Sequence, residues 1–114
     1  MNQVEPQPLL HSELPRGEFE ALLQRFVAGL PDRLRQLDAA LEQPNWEDVA
    51  RLSHQIRGAA GSYGYPTIAE QAWRIEQISL AEKSQAMSAD AFSRLETLCL
   101  SAQRALEETF HSRA

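Results

Sequence analysis

The sequence predicts an all-α fold: an antiparallel four-helix bundle with an additional N-terminal helix or a kinked first helix. Three observations carry this. Apolar residues recur at steps of three or four through four long segments. The connections are short and rich in breakers, as in Pro44-Asn45 and Ser62-Tyr63-Gly64-Tyr65-Pro66. No stretch alternates apolar and polar residues with period two for long enough to make a strand. Amphipathic segments joined this way bury their stripes by packing antiparallel around one core.

The elements follow in order. Residues 1–15 read as a flexible leader, because Pro6, Pro8 and Pro15 interrupt any helix, and residues 16–114 read as the bundle domain. The first stripe is Phe19, Leu22, Leu23, Phe26, Leu30, Leu34, Leu37 and Leu41. It passes through Pro31, so it makes either two helices or one kinked helix. Asn45 is a good N-cap for the next helix, with Glu47 and Asp48 where the helix dipole favours anions. That helix runs from about Trp46 to Gly61. Thr67 with Glu70 matches a capping box for a third helix carrying Ile68, Ala72, Ile75 and Ile78. Ser88 is the expected cap of the last helix, whose stripe is Phe92, Leu95, Cys99, Ala102, Leu106 and Phe110.

Composition narrows the function. A chain of 114 residues suits one domain with a modest core. Hydrophobic residues make up 43% and charged residues 24%, which is an ordinary globular balance and not a disordered one. The formal net charge of −5 argues against a nucleic-acid partner, whose binding domain would be basic. No apolar run approaches the roughly 20 residues that cross a bilayer, and no basic-then-apolar signal segment opens the chain. One cysteine, Cys99, rules out an internal disulfide and fits a reducing cytoplasm.

The stretch LSHQIRGAAGSYGYP, Leu52 to Pro66, departs from plain amphipathic helix. With helical residues about 100° apart, Val49, Leu52, Ile56, Ala60 and Tyr63 cluster near roughly 280° when Trp46 is set at zero. His54 falls at about 80°, with Glu47, Arg51, Gly58 and Gly61 on its side and Arg57 at the flank. An exposed helical histidine is usually inert, and His11 and His111 keep that reading. Gly58 changes the reading of His54. A glycine inside a helix costs about 1 kcal/mol against alanine, and this one faces water, so packing within the chain does not explain it. It leaves bare backbone one turn from an imidazole, where a partner could approach. Arg57 adds a guanidinium suited to phosphate oxygens.

His54-Gln55-Ile56-Arg57-Gly58-Ala59-Ala60-Gly61-Ser62-Tyr63-Gly64 resembles the signature of histidine-containing phosphotransfer (HPt) domains of bacterial two-component phosphorelays. Ile68 and the pair Ile75-Glu76 extend the likeness, which is specific over residues 50–77. The resemblance implies that His54 is phosphorylated on Nε2 and passes the group between receiver-domain aspartates. It implies that Gly58 permits close approach and that Glu76 bonds the imidazole Nδ1. A one-residue shift of helical register would put Gln77 there instead. Arg57 stands where the family usually has lysine: the positive charge is kept, but as a planar fork. Arg51, Gln55, Gly61, Tyr65 and Trp73 are the candidate partner-binding residues, and Tyr63 is a further apolar candidate; packing inside the bundle is the competing use of the three aromatics.

The chain has no clustered acidic triad for Mg²⁺ and no phosphate-binding glycine loop. A carrier without kinase or ATPase activity is therefore expected. It needs no cofactor of its own, since the receiver domain would supply the Mg²⁺. A cytoplasmic monomer is expected, with receiver domains of response regulators or hybrid sensor kinases as partners. Met1 and the irregular leader favour a free-standing chain over the last domain of a hybrid kinase. The alternative is a non-phosphorylated helical adaptor that binds and titrates receiver or kinase domains. A metal-binding bundle is disfavoured, because the three histidines lie far apart and Cys99 has no companion.

Overall fold

The computed structural model describes residues 16–113; the leader expected over residues 1–15, with His11, lies outside the described residues. The described residues form four helices: α1 (Arg16–Glu42), α2 (Trp46–Ser62), α3 (Pro66–Leu80) and α4 (Gln85–Arg113). No strand occurs among the described residues. α2 and α3 pack most extensively, and α1 on α2, α3 on α4 and α1 on α4 close the ring. Neighbouring helices run in opposite directions. Phe26, in the first half of α1, stacks on Tyr63 just past the end of α2, with centroids 5.0 Å apart. Gln85, opening α4, donates from Nε2 to the Leu41 carbonyl near the end of α1, at 3.4 Å.

α1 is one helix through Pro31, not two. Proline removes a backbone donor and costs about 3 kcal/mol in a helix interior. On either side of it Phe26, Val27, Leu30, Leu34 and Leu37 are buried in the core. Burying each contributes about 1.5–3 kcal/mol, so the continuous stripe outweighs the break.

α2 begins as expected: Asn45 Oδ1 accepts from the Asp48 amide at 3.2 Å. It runs one residue past Gly61 and stops at Gly64, whose φ of +82° lies in the left-handed region. There the Tyr65 amide reaches back to the Ala60 carbonyl at 2.9 Å, the pattern of a helix closed by a left-handed residue.

Two caps differ from expectation. α3 starts at Pro66, with Tyr65 as a cap that makes no side-chain hydrogen bond. Proline's fixed φ and missing amide suit the first helical position, so Thr67 already lies inside the first turn and caps nothing. At α4 the cap is Ser84, whose Oγ accepts from the Met87 amide at 3.1 Å. Ser84 precedes the first helical residue and meets its free amides. Ser88 lies a turn inside the helix, 1% exposed, and its hydroxyl has no hydrogen-bond partner.

The core is Leu30, Leu37, Val49, Ile56, Ile68, Ile75, Leu95 and Cys99 at its centre, all nearly inaccessible. Burial, helped by the charge of Glu96, pushes the Cys99 thiol up to about 11. Phe92 and Leu106 are only half-buried; the side chain of Phe110 lies outside the described residues.

Candidate functional site

His54 stands in the middle of α2, flanked in sequence by buried Ser53 and by Ile56 one further on. Those core residues fix the helix's rotation and turn the imidazole outward, with its side chain 61% exposed. Facing it across the α2–α3 seam is Glu76, whose side chain is only 13% exposed. Ile75 beside Glu76 is fully buried and sets the rotation of α3. Gln77, the other candidate for this position, is exposed. Ser79 Oγ donates to the Glu76 carbonyl at 2.6 Å, a support that no pattern in the sequence marked.

Two side chains, Glu76 and Arg57, meet at one edge of the imidazole. His54 Nδ1 is 3.1 Å from Glu76 Oε2. Arg57 Nε donates to Glu76 Oε1 at 3.2 Å, and Arg57 Nη2 lies 3.0 Å from His54 Nδ1. The guanidinium thus rests against Glu76 at the Nδ1 edge. Nε2 lies on the far side of the ring from these contacts.

One turn beyond His54, Gly58 is exposed, and a Cβ built there would meet nothing within 4 Å. The same is true of Gly61. Neither glycine is required by packing inside the chain. They floor a shallow open groove with Ala69, edged by Arg57, Glu70 and Trp73. Trp73 is 48% exposed, a large apolar surface left facing solvent. Gln55 lines a second groove with Asp32, Arg33 and Gln36 of α1. Arg51 is exposed and pairs with Asp48 at 3.2 Å. Tyr63 and Tyr65 are turned to α1: the Phe26 ring lies 5.0 Å from the first and 5.9 Å from the second. Burial pushes the Tyr65 phenol up. The groove beside His54 is therefore walled by Trp73, with the two tyrosines packed against the bundle.

Among the described residues no cluster of three or more His, Cys, Asp or Glu side chains is placed to hold a metal ion. Among the same residues no helix is long and apolar enough to cross a membrane.

The model of the Hpt domain family matches residues 21–108, and the chain belongs to that family. The match takes in all of α2 and α3 and most of α1 and α4. No curated protein and no solved structure matches the chain. Membership places it in histidine phosphotransfer within phosphorelays, as a phosphocarrier module that interacts with receiver domains.

Proposed function

We propose that His54 carries the phosphoryl group, taking it from one receiver-domain aspartate and giving it to another. The observation that carries this is the imidazole itself: open to solvent on α2, with Nδ1 held by a largely buried carboxylate and Nε2 at the opposite edge of the ring. With the proton on Nδ1, bonded to Glu76, the lone pair of Nε2 is free to attack phosphorus. The N–P bond forms as the P–O bond to the donor aspartate breaks, and that aspartate leaves as a carboxylate. The phosphorylated ring carries a positive charge, which the Glu76 carboxylate stabilises. Return transfer runs the same step in reverse onto a second aspartate.

Transfer of this kind depends on positioning and charge neutralisation. Arg57 supplies a guanidinium within one turn of His54, and Gly58 with Gly61 leaves bare backbone over which a receiver can close. Trp73 borders that approach, and Arg51 and Gln55 lie exposed on α2 on either side of His54 in sequence. Mg²⁺ and the reacting aspartate belong to the receiver, so the chain acts as a carrier without kinase or ATPase activity. We place it in the cytoplasm as a monomer.

The test is a phosphotransfer assay with Mg²⁺ and a panel of phosphorylated receiver domains from the same genome. Wild-type protein should acquire acid-labile, alkali-stable label, and His54→Gln should acquire none. Absence of label across the panel on folded wild-type protein, with receiver binding retained in His54→Ala, would instead establish the non-phosphorylated adaptor.

A further inference from the structure

The two contacts at Nδ1, to Glu76 and to Arg57, cannot both be favourable at once. A guanidinium only donates, and a carboxylate only accepts. A neutral imidazole nitrogen either carries a proton and donates or lacks one and accepts. If Nδ1 carries the proton it bonds to Glu76, and Arg57 Nη2, at 3.0 Å, opposes it donor to donor. If Nδ1 lacks the proton it accepts from Arg57, and the Glu76 oxygen, at 3.1 Å, faces its lone pair. In that second arrangement the proton sits on Nε2, and Nε2 has no lone pair to offer.

The geometry points to Arg57 as a competitor of Glu76 for Nδ1, biasing His54 toward the tautomer that cannot accept a phosphoryl group. Its functional meaning rests on Nε2 being the acceptor atom proposed above. The partners differ in freedom. Glu76 is 13% exposed, whereas the Arg57 side chain is 39% exposed at the rim of the groove. The planar guanidinium can pivot as one piece about its Nε–Oε1 hydrogen bond, carrying Nη2 away from Nδ1. An incoming phosphoryl dianion is the stronger attractor of that fork. As Arg57 turns to it, a proton passes from Nε2 to water and another from water reaches Nδ1. The nucleophilic tautomer is then favoured only when a phosphoryl group is at hand. Arg57 is a positioning residue here, acting through the imidazole's proton.

The tautomer ratio can be read on the chain alone, by two-bond ¹H–¹⁵N spectra of ¹⁵N-histidine-labelled protein in mildly alkaline buffer, where neutral rings are compared. His54→Gln identifies the His54 signals among the three histidines. Arg57→Met keeps the aliphatic stem and removes the fork. It should raise the ratio of Nδ1–H to Nε2–H by about threefold to tenfold, the scale of an ordinary hydrogen bond's net contribution at an exposed, solvent-screened site. Glu76→Ala should move the ratio the other way. Backbone amide spectra confirm that each variant keeps its fold. An unchanged or lowered ratio in Arg57→Met would overturn the competition, and so would a raised ratio in Glu76→Ala. Transfer rates cannot replace this readout, because losing Arg57 also strips charge from the phosphoryl site. No receiver is needed, so a failure here is separate from a failure of the carrier role.

Discussion

Replacing Glu76 by alanine should slow phosphoryl acceptance at His54 by about tenfold to a hundredfold without unfolding the bundle. The magnitude follows from what the carboxylate touches. It sits 3.1 Å from Nδ1, at 13% exposure, where water is poorly placed to substitute. A hydrogen bond to a charged group contributes about 1.5–3 kcal/mol, and each 1.4 kcal/mol or so is a factor of ten in rate. The bond strengthens as the ring becomes cationic, so the loss falls on the transition state more than on the resting protein. Stability should hardly change. The Arg57–Glu76 pair has one partner 39% exposed, and such pairs contribute about 0–1 kcal/mol. The assay is rapid-quench transfer from a phosphorylated receiver with Mg²⁺, at saturating receiver so that docking does not enter. Glu76→Gln keeps an acceptor oxygen and loses the charge, and should fall between the two. Glu76→Ala transferring within about twofold of wild type, a difference under roughly 0.5 kcal/mol, would refute the role given to this carboxylate.

Three further outcomes follow from named positions. Gly58→Gln meets open space at its Cβ, so it should raise the unfolding free energy by up to about 1 kcal/mol. In the same variant receiver affinity, measured by titration calorimetry, should drop about tenfold or more; unchanged affinity would sink the idea that Gly58 clears the approach. Gly64→Ala forces a side chain into a φ of +82° and should cost about 1–2 kcal/mol in urea unfolding; a neutral result would mean that the α2–α3 turn relaxes freely. Cys99, buried and with its thiol pushed up to about 11, stays protonated in neutral buffer. Its reaction with a thiol reagent should track global unfolding; labelling at the rate of a free thiol in native buffer would contradict its place in the core.

The parts of this fold legible in the sequence are those decided within one helix. The α2 boundaries, the outward direction of His54 and the stripes of α2 and α3 follow from a 3.6-residue period and the Asn45 cap. What escaped depends on relations between helices or on competition among similar residues. Pro31 left two readings open because the strength of the surrounding core cannot be seen in a stripe. Thr67 and Ser88 matched capping patterns, yet Pro66 and Ser84 reached those positions first. At the site, a helical wheel puts Arg57 at the flank of His54, but its side chain is long. Only the packing of α3 against α2 shows that the guanidinium folds back onto Glu76.

The contact between His54 and Glu76 spans 22 residues of chain, and everything that shapes it lies on one helical hairpin. Closing so short a loop costs little chain entropy, whereas joining α1 to α4 encloses nearly the whole domain. Folding should therefore run from the hairpin outward. Truncating Ile56 or Ile75 should chiefly slow folding, and truncating Leu34 or Leu95 should chiefly hasten unfolding, as chevron plots would show. The reverse pattern would place the nucleus at the seam between the first and last helices. Built this way, the half that carries His54 would be organised early, before the outer helices complete the bundle around it.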